Sequence, residues 1–463
     1  MTGSLDVAIG ASQGLALTMS IGFLTYVGFI VIPYARHRPD PGGDPRHFAW
    51  HLMIPCRDEE AVITQTLRYV RDTFPGAHVW VIDDGSTDDT GRLVADWARR
   101  DAGVHLITRR LPDARTGKAD ALNAGYRTLF HWLQAQDALD EADRTILCVL
   151  DGDGRLAGNA FRICAGASLF GDPGVGAVQV DVRMSNRDER VVFPDRGRLA
   201  NAFGRTLVRL QDLEFRTAIA AIQLSRRHTG TVGMGGNGQF TRVSALAGID
   251  TGGVGRPWRG SLLEDFELGV HLLTEGFRTQ YTKDTWVDQE GLPNLRRLLT
   301  QRTRWSQGTM QCLRYLPQVW RSPHVSTIGA AEILYYLVQP WMQLIGSLVY
   351  PVPWLLLAHR YAVDPATVRA WFDDGPGWLL FGIYGTMGIL PFVVWGPIYW
   401  RRCEPGAGLV RSLGWGLAYA LYIYTFYVTC WRAASRIARR RNGWAKTRRN
   451  AEALRGRRLA TER

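Results

Sequence analysis

Residues 7–35, VAIGASQGLALTMSIGFLTYVGFIVIPYA, carry no charged side chain. A run of about 20 apolar residues crosses the hydrocarbon core of a bilayer as a helix, so this stretch is long enough to span one. It constrains the chain more than any other feature, because a helix satisfies its own backbone hydrogen bonds where no water can. A cleaved signal peptide fits poorly: no basic segment precedes the run, and Arg36, His37 and Arg38 follow it. Those basic residues set the orientation, with the N-terminus outside and residue 36 onward in the cytoplasm.

From His51 the pattern changes. The runs WHLMIPC, HVWVIDD, GVHLITR, TILCVLD and GVGAVQV read as short buried strands, and EEAVITQTLRYVRDTF and TGRLVADWARRD between them read as helices. Strand–helix alternation predicts an α/β domain over 48–305 with a mainly parallel sheet. In such folds ligands sit at the carboxyl ends of the strands.

Residues 306–322, SQGTMQCLRYLPQVWRS, predict an amphipathic helix lying on the membrane surface. Three apolar segments follow within 325–431, near 328–358, 378–400 and 409–431. The first contains Glu332, Gln339, Gln343 and three prolines, and polar membrane segments face a protein interior or a cavity. Three further crossings would put the C-terminus outside. Either one segment is interfacial or re-entrant, or 328–358 hides a hairpin.

The tail favours the inside. Residues 432–463 hold 12 Lys or Arg against 2 Asp or Glu, almost all of the chain's net charge of +12. A basic flank after an apolar segment belongs at an anionic cytoplasmic leaflet, and the near-neutral remainder argues against a nucleic-acid partner. GWAKTRR (443–449) reads as a lipid-head-group flank or as a gating segment near the active site. Six cysteines without a CxxC pair suit a reducing compartment. Lysine occurs only at Lys118, Lys283 and Lys446, the arginine bias of a G+C-rich, bacterial genome.

The chemistry concentrates at predicted strand ends. Asp83 and Asp84 close one strand, either as hydrogen-bond acceptors for a base or ribose or as an acidic turn capping the next helix. Asp151 and Asp153 flank Gly152 after another, where two carboxylates on a tight turn reach one hard cation such as Mg²⁺ or Mn²⁺. Lys118 offers a compact charge suited to a diphosphate, or is an exposed loop lysine. Glu264 and Asp265 sit in an apolar run, which raises a carboxyl's pKa toward that of a general base; the other reading is helix-dipole compensation. GMGGNGQFTR (233–242), with Gly236 at its centre, lacks the Lys-Ser/Thr ending of a P-loop and suits close approach of backbone to substrate. In QRTRW (301–305) come Gln301, Arg302, Arg304 and Trp305.

In this order the motifs resemble those of the membrane-embedded, processive family 2 glycosyltransferases, the group of cellulose, chitin and hyaluronan synthases. IPCRDEE (54–60) matches their opening strand, with Asp58 where asparagine is more usual, and EGLPNLRRLLTQRTRW (290–305) matches the approach to the last motif. The resemblance covers about residues 50–320. It implies a Rossmann-like GT-A domain and inverting transfer from a nucleotide diphosphate sugar, UDP-glucose or UDP-N-acetylglucosamine. Glu59 and Asp83 would contact the nucleoside with Asp84 nearby, and Lys118 the diphosphate. Asp151 and Asp153 would hold the metal, Mg²⁺ or Mn²⁺, and Asp265, beside Glu264, would be the base. Arg304 would meet the diphosphate and Trp305 the acceptor sugar, with Gln301 and Arg302 supporting them or the phosphates.

The expected product is a polysaccharide exported through the C-terminal helices of a multi-pass plasma-membrane enzyme, with membrane lipids and an export or accessory protein as partners. Transfer of one sugar to a lipid acceptor is the alternative. An inactive scaffold or channel subunit is the second.

Overall fold

The computed structural model describes residues 2–441, so most of the basic tail, including 443–449, lies outside the described residues. Helix α1 (Thr2–Arg36) contains the charge-free run. The domain that follows is built on β1 (Ala49–Cys56), β2 (His78–Asp84), β3 (Val104–Arg109), β4 (Thr145–Val149), β5 (Arg155–Leu156), β6 (Val175–Met184), β7 (Gln239–Arg242) and β8 (Arg278–Gln289). They form one sheet in the order β3-β2-β1-β4-β7-β6-β8-β5. The pairs β3/β2, β2/β1, β1/β4 and β6/β8 are parallel; β7 runs antiparallel to both β4 and β6, and β5 to β8. The mainly parallel sheet was expected. The short antiparallel β7 was not: it occupies the end of the glycine-rich stretch that reads as loop.

Period-two alternation divides the core. Leu52, Ile54, Val79 and Val81 face a cluster containing Ile63, Leu67 and Val70 of α2 (Ile63–Thr73), Val94 of α3 (Thr90–Ala98) and residues of the short helix at 160–164. Met53, Trp80 and Ile82 face the other side, against α4 (Lys118–Ala135) and the residues of 243–249 and 264–274. Gly125 sets the depth of α4, since a Cβ there would fall 2.6 Å from Ile82 Cδ1 and 2.7 Å from Met53 Sδ.

With that short fifth helix labelled α5 (Ala160–Cys164), the chain continues through α6 (Arg198–Leu213), a π-helical turn (Glu214–Ile219), α7 (Ala220–Arg226), α8 (Val243–Ile249), α9 (Glu264–Thr274), α10 (Leu295–Cys312) and α11 (Leu316–Arg321). Residues 306–322 are therefore not one helix. Their first half completes α10, and a 3-10 turn at Leu313–Tyr315 separates it from α11.

The last part comprises α12 (Thr327–Val349), α13 (Pro351–Val363), α14 (Pro365–Asp373), α15 (Gly377–Val393), α16 (Trp395–Cys403) and α17 (Leu409–Ala438). Among the described residues three segments are long and apolar enough to cross a membrane: Ile9–Arg36, Thr327–Val363 and Gly377–Cys403. The 409–431 segment is not a fourth. It lies in α17, which runs beside α10 for much of its length: Tyr422 Oη is 3.2 Å from Arg302 Nη2, Thr429 Oγ1 3.3 Å from Ser306 Oγ, and Arg436 Nε donates to Gln307 Oε1 at 2.7 Å. Glycines press it against α15 and α16; a Cβ on Gly396 would lie 2.1 Å from Ser412 O, and one on Gly416 2.3 Å from Val393 O. The N-terminal half of α17 thus packs on α15 and α16, and its C-terminal half on α10.

The polar residues of 328–358 do face protein or cavity. The Glu332 carboxylate accepts from Thr229 Oγ1 (2.6 Å) and Thr231 Oγ1 (3.1 Å), and Cys430 Sγ donates to Gln343 Oε1 at 2.8 Å. Where α1 meets the domain, Arg227 donates to both oxygens of buried Asp40 at 2.8 Å, and Asp284 accepts from Asp40 N at 2.7 Å and lies 3.1 Å from His37 Nε2. No disulfide joins the six cysteines.

Candidate active site

Strand ends and one glycine-rich loop bring the chemistry together. Lys118, the first residue of α4, donates from Nζ to Asp151 Oδ1 at 2.8 Å and to Gly236 O at 2.7 Å. The loop carrying Gly236 is clamped from both sides. Gln179 of β6 accepts from Gly235 N at 2.8 Å and donates to Asn237 O at 2.9 Å, while Asn237 Oδ1 accepts from Asp151 N at 3.1 Å. Gly238 has φ +70°, a left-handed turn that favours glycine and sends the chain into β7. A Cβ on Gly236 would lie 2.9 Å from Lys118 Nζ, 3.1 Å from Asp265 Oδ2 and 3.7 Å from Glu264 Oε1, so four predicted site residues converge on this hydrogen-sized gap.

Glu264 and Asp265 open α9, and Asp265 Oδ1 accepts from Phe266 N at 2.7 Å. The two carboxylates occupy the helix's first turn and also line the cavity. Burial, then the neighbouring Glu264, pushes the Asp265 carboxyl up to about 7, with Lys118 opposing. Burial also raises Glu264, against Lys118 and Arg304. Burial alone would lower Lys118, but Asp151 and Glu264 outweigh it and keep the ammonium protonated.

These groups open into one cavity of about 1570 Å³. All the predicted site residues line it except Asp83 and Asp153: Glu59, Asp84, Lys118, Asp151, Gly236, Glu264, Asp265, Gln301, Arg302, Arg304 and Trp305. Glu59 is buried against the Asp151–Asp153 turn, where a Cβ on Gly152 would meet its Cγ at 3.3 Å. Asp84 is bound by Arg109 and accepts from Arg115 N at 3.0 Å, so it fixes the loop leading to Lys118. Asp83 Oδ1 caps the turn by accepting from Ser86 N at 3.0 Å, and Asp153 Oδ2 accepts from Glu290 N at 3.1 Å.

Arg302 lies in the wall of the cavity, already paired within the protein. Its Nη2 lies 2.5 Å from Glu214 Oε2 in a buried ion pair, and its guanidinium carbon sits 4.3 Å from the ring centroid of Trp305. Arg304 lines the cavity with Glu264 and Asp265. Gln179, Asn237, Glu214 and Tyr422 escaped the sequence reading. An amide inside the apolar run GVGAVQV was the signal available for Gln179; nothing local marks the others.

Asp151 and Asp153 offer hard oxygen donors on one turn. Mg²⁺ usually takes one or two carboxylates and completes its shell with phosphate oxygens and water, so this donor pair fits Mg²⁺ or Mn²⁺. Among the described residues a separate cluster of possible ligands is His37, Asp40 and Asp284, but Arg227 already holds both Asp40 oxygens.

The cavity continues past the carboxylates between α1, α12, α15 and α17. Phe23, Tyr26, Tyr335, Tyr350, Tyr384 and Phe426 are among its walls.

Curated relatives match over the catalytic part. A beta-monoglucosyldiacylglycerol synthase from Synechocystis sp. is 29% identical over 275 residues, which is 58% of this chain and 49% of the relative. A probable glycosyltransferase, YdaM, from Bacillus subtilis is 23% identical over 288 residues, 58% of this chain and 57% of that protein. The chain thus spans about half the length of the curated relatives it matches. Among solved structures, a mannosyltransferase from Pyrobaculum calidifontis in complex with GDP-Man and Mn²⁺ superposes with a TM-score of 0.54 at 15% identity, covering 94% of this chain and 98% of that one, which supports a shared fold. The narrower resemblance to polysaccharide synthases finds no support among these matches, three of which are named beta-monoglucosyldiacylglycerol synthase. The profile described as "Glycosyltransferase like family 2" matches residues 45–308, more than half of the chain, and the protein belongs to that family.

Proposed function

We propose that this membrane glycosyltransferase moves a single sugar from a nucleotide diphosphate donor to the hydroxyl of a lipid acceptor. The observation that carries this is the continuity of the cavity, from Asp265 and Lys118 to the aromatic walls between α1, α12, α15 and α17. A lipid with its hydroxyl at Asp265 and its chains among Phe23, Tyr26 and Phe426 would bury apolar surface at about 25 cal/mol per Å². The name of the Synechocystis relative supports the same acceptor class.

In this reading Asp265 removes the acceptor hydroxyl's proton as its oxygen attacks the anomeric carbon from the face opposite the diphosphate. The bond from that carbon to the diphosphate breaks, the electron pair leaves on the diphosphate, and configuration inverts. One carboxylate base suffices for a single displacement. Lys118 and Arg304 meet the charge that grows on the leaving group. A metal held by Asp151 and Asp153 would neutralise the same charge as a Lewis acid. Glu59 and Asp83 belong with the nucleoside, Gly236 brings backbone close to the reacting sugar, and Gln301 supports Arg304. With the N-terminus outside, three crossings leave the catalytic domain and the tail on the cytoplasmic side.

A second reading keeps the growing polysaccharide, because the wall beyond Trp305 is rich in tyrosines, which stack on sugars as well as on lipid. Product size separates the two. Purified protein is incubated with Mn²⁺ or Mg²⁺, a panel of nucleotide sugars and diacylglycerol in detergent, and products are read by mass spectrometry. One hexose per lipid is expected; a ladder of sugar polymer would overturn the lipid reading.

A further inference from the structure

The π-helical turn between α6 and α7 places Glu214 and Phe215 in the wall of the cavity, beside Arg302 and Trp305. A π turn widens a helix by one residue, is rare, and is frequent at functional sites. Glu214 and Arg302 are both almost fully buried, with side-chain exposures of 8% and 7%. The Glu214 carboxylate also accepts from Tyr422 Oη at 2.8 Å, and that hydroxyl lies 3.2 Å from Arg302 Nη2. Tyr422 stands on α17, with Tyr419 stacked on it at 5.9 Å. The guanidinium so held has three aromatic rings around it: Trp305 at 4.3 Å, Phe426 at 5.2 Å and Phe215 at 5.6 Å. Phe215 in turn meets Trp305 edge-on at 6.2 Å.

We infer that Glu214 and Tyr422 are positioning residues that fix Arg302, and through it the Trp305 ring, so that α17 and the π turn set the geometry of the acceptor platform. This rests on the reading of Trp305 as the acceptor-facing ring. A buried charge pair is a poor way to gain stability alone, because desolvation opposes the attraction. Held among rings at the wall of a cavity, it fixes one orientation of a flat cation, and the flat cation fixes the indole. Neither residue reaches the donor carboxylates, so the effect falls on the acceptor.

The test uses the full chain in detergent with UDP-glucose and diacylglycerol. Glu214→Gln and Tyr422→Phe should each raise the acceptor KM by about ten-fold, while donor KM and UDP release without acceptor stay within about two-fold. The double variant Glu214→Gln/Arg302→Met removes the buried charge altogether; it should recover any lost thermal stability yet keep the raised acceptor KM. An unchanged acceptor KM in the single variants, or a wild-type value in the double variant, overturns the proposal. Should Glu214→Gln fail to fold, Tyr422→Phe leaves the ion pair whole and carries the comparison. A wild-type enzyme that makes no glycolipid would instead sink the functional reading. In that case an experimental structure of Tyr422→Phe decides: a displaced Trp305 ring supports the positioning role, and an unmoved ring overturns it.

Discussion

The pH profile of the reaction tests the Asp265 assignment directly. The carboxyl stands at about 7 against an ordinary value of 3.8, because it is buried and lies beside Glu264. At about 1.4 kcal/mol per pH unit, that displacement is worth about 4 kcal/mol in favour of the protonated form. A base must be ionised to act, so kcat/KM should climb with slope one up to a midpoint near 7 and level off above it. At pH 6 it should be about one tenth of the plateau. Glu264→Gln removes a neighbouring negative charge and should move the midpoint down; Lys118→Met removes a cation and should move it up. Stability runs the other way. A carboxyl whose folded pKa is raised binds its proton more tightly when folded, so stability falls as pH rises from about 4 to about 7. Asp265→Asn abolishes that fall and should melt at a higher temperature than wild type at pH 8. Its transfer rate should drop by about 10²–10⁴. Initial rates of UDP release from pH 5 to 9 and thermal unfolding at pH 5 and 8 check these outcomes. A wild-type midpoint near 4, or an Asp265→Asn variant with more than about a tenth of the activity, refutes the reasoning.

Three other substitutions probe the frame around the site. Gly236→Ala puts a Cβ within 3.1 Å of both Lys118 Nζ and Asp265 Oδ2; it should lower kcat/KM by about 10²-fold with an unaltered melting temperature. Arg227→Ala leaves Asp40 buried without its bidentate partner and should cost about 3 kcal/mol in thermal unfolding, with donor KM unchanged in the surviving enzyme. Gly416→Val cannot be seated 2.3 Å from Val393 O, so α17 must lift from α15; protease cleavage within 409–438 should speed up, and an unaltered pattern would contradict the close packing.

Much of the catalytic layout was legible because it is local. Strands β1 to β4 and β6 are apolar runs flanked by polar turns, and Asp83, Asp151 and Asp265 sit at element ends where an acidic residue is conspicuous. β8 escaped because RTQYTKDTWVDQ mixes polar and apolar residues: its pairing with β6 shifts register between Val180 and Asp181, so no single alternation runs through it. β7 escaped because four residues after a glycine-rich turn give too short a pattern. Arg302 was undecided between phosphate and support because its partner Glu214 lies 88 residues away, in a helix whose π turn no spacing announces. α17 reads as a membrane span, since residues 412–431 carry no charge. Tyr422, which bonds both Glu214 and Arg302, is one of the contacts by which the fold lays it beside α10.

The contact between Lys118 and Asp151 has a kinetic meaning. The ammonium sits 2.8 Å from one oxygen of Asp151, so a divalent ion that used this carboxylate by itself would meet a cation there. A donor diphosphate gives Lys118 somewhere else to go and brings oxygens of its own for the ion. Metal and nucleotide sugar should therefore enter together, as a preformed chelate. Calorimetric titration of Mn²⁺ should show weak binding to the protein by itself and tight binding once UDP is added.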